Sequence, residues 1–314
     1  MKTYIKLFAL SSLFVLGSCS QDFLENEPYT DKVTENFYKT PSDAFEGLVA
    51  VYDVLQREAY GTQLIVSEQA YEKCFGGFGI ADPTVDLQWD RFQYTTDKDM
   101  NALTWTNSYL GIYRANVLLE NLDKVNWGSD TALKTRYEAE ARFLRAHAYF
   151  NLVRLWGGVF IVTEPVSGTQ AKTMDRSPQS EVYDFIINDL RMASEMLPPS
   201  QSGASLGRVA ADAAKTLLGK ALLTVGGSEN LDEAKIILEE VIAGPFTLQS
   251  TYASVFSISN EYNSEILFAV RYQSGSVGLG SPHPNYFAPL QSDNYVVFGN
   301  GDGLNAPTES ISNA

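Results

Sequence analysis

The chain has 314 residues, 45% of them apolar and 19% charged, which is the composition of a globular protein and not of a disordered one. Lys and Arg total 23 against 38 Asp and Glu; the formal charge of −15 repels phosphate backbones and argues against nucleic-acid binding and a polybasic membrane patch. Two cysteines and two histidines leave too few ligands for a disulfide framework, a Cys-rich zinc module or a His-rich metal centre.

At the N-terminus, Lys2 and Lys6 precede an apolar run from Leu7 to Leu16. That run is too short to span a bilayer, which takes about 20 helical residues. Leu16-Gly17-Ser18-Cys19 then sets small residues ahead of a thiol. This pattern predicts a lipoprotein signal peptide over residues 1–18, with Cys19 acylated as the new N-terminus. The plainer alternative is an ordinary secretory signal with Cys19 as a bystander. With Cys19 acylated, Cys74 lacks an intramolecular partner and is expected to be a buried thiol. Residues 19–39 are polar and turn-rich and read as a tether.

Thr40-Pro41-Ser42-Asp43 opens a helix, with Thr40 as cap, Pro41 in the first turn and Asp43 at the capping-box position. Phe45, Leu48, Val49, Tyr52 and Leu55 follow at helical spacing. Residues 60–103 break the pattern with Gly76-Gly77-Phe78-Gly79 and Asp82-Pro83 and read as a long irregular excursion. Helices are then predicted over about 104–125, 131–156, 178–197, 208–225 and 231–243. Ser177-Pro178 is read as a cap followed by a first-turn proline; Gly157-Gly158, Gly226-Gly227 and Gly244-Pro245 are read as stops. Leu218-Gly219-x-x-Leu222 followed by Ala234-x-x-x-Leu238-x-x-Val241 approximates a tetratricopeptide pair. The expectation is a mostly α fold: a tetratricopeptide-like helical superhelix over about 104–243, with irregular, loop-rich regions and minor β. A plain helical bundle is the alternative. Residues 265–271 are predicted to form a strand, within a looser region from about 244 to 314.

Motifs for chemistry are scarce. The sequence contains no Ser-x-x-Lys or His-Glu-x-x-His. His147 sits in a helix among Arg142, Arg145 and Arg154 and reads as structural; His283 lies between two prolines. Asp97-Lys98-Asp99-Met100-Asn101 begins like a calcium loop, but Ala102 stands where glycine belongs and Ser108 where the bidentate glutamate belongs. Asp82, Asp86 and Asp90 lie on a Gly/Pro-interrupted stretch, which does not hold two carboxylates at a hydrolase's fixed separation. The notable feature is aromatic: Tyr71, Phe75, Phe78, Trp89, Phe92 and Tyr94 fall in the 60–103 excursion, several beside Asp or Gln. Flat rings flanked by amides and carboxylates suit sugar recognition; burial in a core is the competing role for each.

Several of these segments occur in an order that resembles the SusD/RagB family of surface lipoproteins. They are the Cys19 box and tether, residues 40–56 (TPSDAFEGLVAVYDVLQ), and Trp105-x-x-x-Tyr109-x-x-Ile112-Tyr113-Arg114-Ala115-Asn116. Residues 139–157 (AEARFLRAHAYFNLVRLWG), 182–190 (VYDFIINDL), Gly207-Arg208-Val209 with Ala213-Ala214-Lys215, and Asn263-Ser264-Glu265-Ile266 complete the set. The resemblance covers nearly all of 19–314 and implies a single domain over 40–314, in which Asn305-Ala306-Pro307-Thr308 would lead into a further C-terminal segment. It implies a non-enzymatic, lipid-anchored protein of the outer membrane facing the exterior. Such a protein needs no cofactor or metal, binds an oligosaccharide or polysaccharide, and works with a TonB-dependent SusC-like transporter. A peptide ligand, as for some members of the family, and a secreted glycan-processing enzyme remain the alternatives.

The anchor reading has a direct test. Cys19→Ala is expected to accumulate as an unprocessed precursor on an immunoblot of fractionated cells. Normal maturation and membrane retention of that variant would contradict it.

Overall fold

The computed structural model describes residues 37–59, 74–75, 99–273, 280–281, 284–285, 288 and 306–307. Its helices are α1 (Pro41–Ala59), α2 (Asp99–Asn121), α3 (Thr131–Trp156), α4 (Gln179–Met196), α5 (Ala211–Val225) and α6 (Ser228–Ile242), with single turns at Gly168–Ala171 and Tyr252–Val255. The two-residue strands β1 (Cys74–Phe75) and β2 (Ala306–Pro307) pair antiparallel, Cys74 opposite Pro307 and Phe75 opposite Ala306. The mostly helical expectation holds.

α1 begins as its sequence dictates. The Asp43 N–H donates to Thr40 Oγ1 (3.3 Å) and the Thr40 N–H to Asp43 Oδ2 (2.8 Å), which satisfies orphan donors at the helix start reciprocally. Leu48, Val51, Val54 and Leu55 turn inward from it.

α3 is the centre of the molecule. It packs against α1, α2 and α4, and Ala139, Ala141, Ala146 and Ala148 are small enough to admit neighbours on several sides. Phe143, Leu144, Tyr149, Phe150, Leu152 and Val153 fill the space between. A helix enclosed on this many sides has little amphipathic character, and any charge it carries must find a partner inside. Gly157 ends it at φ 69°, its N–H donating to the Val153 carbonyl (2.9 Å).

Two carboxylates lie within this core. Glu140 has no exposed side-chain surface; it accepts from Arg136 Nε (2.9 Å), Arg208 Nε and Nη2 (2.8 and 2.7 Å) and the Tyr52 hydroxyl (2.7 Å). The Tyr52 oxygen in turn accepts the Val209 N–H (3.1 Å). Burial, then the Glu140 charge beside it, pushes the Tyr52 pKa well above its ordinary value, so the hydroxyl remains a donor. Asp189, on α4, accepts from Arg142 Nη1 (2.9 Å) and from Arg145 Nε and Nη2 (2.8 and 2.9 Å). Arg145 also donates to Asn116 on α2 (2.7 Å), which passes the link to the Val162 carbonyl (2.8 Å).

α5 and α6 pack as the tetratricopeptide pattern anticipates. Leu218, Leu222 and Ala234 are buried, and a Cβ on Gly219 would lie 2.7 Å from Leu238 Cγ, so only glycine admits Leu238 at this crossing.

Three expectations are corrected. Ser177 does not cap α4: Pro178 takes the cap position without a side-chain bond, and the Ser177 N–H donates to the Val159 carbonyl (2.9 Å), which ties the residue to the end of the preceding segment. Residues 265–271 join no strand ladder. Their apolar side chains cover helices instead, Phe268 edge-on to Phe143 at 5.6 Å, and the Arg271 carbonyl accepts from Gln56 Nε2 (2.9 Å). α2 starts at Asp99, five residues before the expected Thr104, so the chain that resembled a calcium loop is already helical there.

The paired charges set a stability prediction. Asp189→Asn removes the countercharge of Arg145, which is 6% exposed, and is expected to cost about 3–5 kcal/mol in urea unfolding. Glu229→Gln, on the exposed side of α6, is expected to stay within about 0.5 kcal/mol. Equal effects of the two would contradict this account of the core.

Candidate functional site

Of the side chains singled out from sequence, Cys19, Tyr71, Phe78, Trp89, Phe92 and Tyr94 lie outside the described residues. Phe75 is placed only through its backbone in β1. The described structure nevertheless shows what frames the aromatic excursion. It leaves the end of α1, pairs once with Ala306–Pro307, and enters α2 at Asp99.

The first turns of α2 and the end of α3 carry an aromatic ledge. The Trp105 ring lies 4.9 Å from Tyr109, 5.3 Å from Trp156 and 6.1 Å from Phe160, the last two edge-on. All four are half-buried, with Leu103 and Leu155 exposed in the same turns. The Tyr109 hydroxyl donates to the Phe160 carbonyl (2.9 Å), and burial raises its pKa well above the ordinary tyrosine value. Behind the ledge, Tyr149 receives the Val162 N–H (2.7 Å); burial pushes its pKa up to about 12. Sequence reading placed Trp105, Tyr109 and Trp156 in helices and did not name them as ligand contacts. The signal was available in the i, i+4 spacing of Trp105 and Tyr109, directly after the aromatic excursion.

Two clefts flank residues 268–271. One, of about 290 Å³, lies between that segment and α1 and includes Val49, Asp53 and Gln56. The other, of about 300 Å³, includes Gln201, Leu206, Phe246 and Tyr262. Their charged groups are already engaged. Arg271 pairs with Glu261 and lies 3.7 Å over the Tyr262 ring; Arg208 is held by Glu140. Burial alone would raise the Asp53 pKa, but Arg114 (2.8 Å) and Arg57 (3.2 Å) outweigh it and hold the carboxylate below its usual range. These surfaces offer shape, apolar contact and hydrogen bonding to neutral groups.

His147 is displaced from acid–base work by its surroundings. Desolvation lowers its pKa to about 4, and the positive charges of Arg154 and Lys220 act in the same direction. Among the described residues, no group of three or more His, Cys, Asp or Glu side chains could hold a metal ion, and no helix is long and apolar enough to cross a membrane.

Comparison with known proteins gives a consistent set of relatives. Residues 22–223 match the SusD-like family model described as starch-binding and associating with the outer membrane. The chain is 25% identical over 315 residues to the SusD-like protein P25 of Formosa agariphila, covering 92% of this chain and 56% of that one. A SusD-like protein of Bacteroides ovatus is 28% identical over 286 residues, covering 87% and 50% respectively. This chain thus spans about half the length of these curated relatives. Among solved structures, a laminarin-binding SusD-like protein superposes with a TM-score of 0.75 at 28% identity, covering 88% of this chain and 64% of that one.

The depressed His147 pKa gives stability a defined pH dependence. The imidazole takes up a proton in the unfolded chain below about pH 6.5 but in the folded protein only near pH 4, so its contribution is fully present above 6.5 and is lost as pH falls. Across that window, unfolding midpoints should show a loss of about 3 kcal/mol that His147→Gln lacks. Parallel pH profiles for the two proteins would contradict this.

Proposed function

This chain belongs to the SusD-like family, and from that premise we propose that it captures nutrient glycans at the outer membrane and passes them to a TonB-dependent, SusC-like transporter. In this reading Cys19 carries the lipid anchor, the protein faces the exterior, and the helical repeats of 104–243 hold the transporter through polar contacts that allow release.

The observation that carries the reading is the Trp105–Trp156–Phe160 ledge where the aromatic excursion enters α2. Rings gathered where the Tyr-, Phe- and Trp-rich segment joins α2 can support a stacking platform for pyranose faces. The non-enzymatic part draws support from the inner carboxylates. Glu140 and Asp189 are each saturated by arginines, which leaves neither available as a general acid or nucleophile. The 28% identity to a laminarin-binding SusD-like protein makes laminarin a sensible first probe.

Trp89 offers the largest ring of the excursion, flanked by Gln88 and Asp90. Calorimetric titration of Trp89→Ala with laminarin is expected to show affinity reduced about ten- to a hundredfold, as for the loss of one stacking ring, with an unchanged melting temperature. Unchanged affinity in the folded variant would remove Trp89 from the site. Loss of folding would place it in the core.

A further inference from the structure

We infer that the loop from Thr247 to Ser264 is a second glycan-contact surface, specific for uncharged sugars and separate in sequence from the aromatic excursion. The inference rests on the glycan-binding reading above.

The loop is built to hold a shape. At its neck the Thr247 N–H donates to the Ser264 carbonyl (3.0 Å), and the Gln249 N–H donates to Glu265 (2.9 Å). Inside, Asn260 Nδ2 donates to Gln249 Oε1 and to the Ser254 carbonyl (both 3.1 Å), and Asn263 Nδ2 donates to the Val255 carbonyl (3.2 Å). Thr251 accepts the Ser254 N–H at the start of the single helical turn. These bonds use short side chains to fix the backbone from within.

The loop displays two aromatic rings beside the exposed aliphatic Leu248 and Ile258. Tyr252 and Phe256, at i and i+4, lie 5.0 Å apart with their planes tilted by 54°, and are 81% and 68% exposed. Large rings kept in water on a braced loop call for an occupant. The loop's composition indicates which. From Pro245 to Asn260 there is no Asp, Glu, Lys or Arg, in a chain whose formal charge is −15. The remaining polar groups are hydroxyls and amides, including the Ser257 and Ser259 hydroxyls, which follow the second ring and lie 2.9 Å from one another. Tyrosine with serine and asparagine combines rigid stacking area with adaptable hydrogen bonding at little entropic cost. The loop's one charged residue, Glu261, is paired with Arg271, so that cation is not free for an acidic ligand. Docked proteins favour arginine at such contacts, and a second copy brings the same net charge. An uncharged polysaccharide needs neither cation nor anion, and its C–H faces and hydroxyls match the rings and side chains present.

A polymer that touches two surfaces of one chain gains avidity, so loss of either surface should be visible. The test is electrophoretic retardation of the 314-residue protein in gels containing laminarin or starch. Tyr252→Ala/Phe256→Ala is expected to weaken retardation about tenfold at unchanged melting temperature, while Tyr252→Phe/Phe256→Tyr preserves it. Leu248→Ala/Ile258→Ala removes the loop's exposed aliphatic side chains, 85% and 89% exposed, and is expected to leave retardation intact. Retardation of the aromatic double variant equal to wild type overturns this inference and spares the glycan-binding reading. Equal weakening by the aliphatic pair also overturns it, since a face that seats a polypeptide would respond that way. A wild-type protein retarded by neither glycan overturns both.

Discussion

The structure depends on enclosing two carboxylates where water cannot reach them. Buried charge is costly, and a carboxylate inside a helical core persists only if its partners surround it. Glu140 and Asp189 meet that condition with Arg136, Arg208, Arg142 and Arg145, and each cluster reaches across the fold. Through Tyr52 the first ties α1 to the chain entering α5; through Asn116 the second ties α2, α3 and α4 to the segment around Val162. The geometry of these helices is therefore fixed by directional bonds as well as by packing.

That division of labour separates scaffold from surface. The carboxylates of Glu140 and Asp189 are engaged by arginines inside the core. Among the described residues, surfaces open to a ligand include the aromatic ledge at the start of α2, the clefts beside residues 268–271 and the rings of the Tyr252–Phe256 turn. The charged groups lining the clefts are paired with one another or with neighbours, in a protein whose net charge is strongly negative.

Much of the helical frame was legible before the structure, and the reason is that its signals are local. α3 spans the predicted 131–156, because alanine spacing and the Gly157-Gly158 stop are read within a few residues. The capping of α1 and the Gly219–Leu238 crossing were legible on the same terms. The ion clusters were not, since Arg145 lies 44 residues from Asp189 and Arg208 lies 68 from Glu140. The segments that carried the family resemblance, 139–157, 182–190 and 207–209, supply most of these charges; what made them recognisable is framework. Residues 265–271 looked like a strand because an extended apolar run is the same in sequence whether it pairs with a strand or covers a helix. The binding residues proposed from sequence stay proposals: Tyr71, Phe78, Trp89, Phe92 and Tyr94 lie outside the described residues, and only the backbone of Phe75 is placed.

The central claim is that this protein holds glycans without processing them. It is tested most directly by incubating the purified protein with a panel of neutral and acidic polysaccharides, measuring retention and then the size of the recovered sugar. The account predicts saturable retention of a neutral glycan recovered at full length. Shortened products, or no retention of any member of the panel, would contradict it.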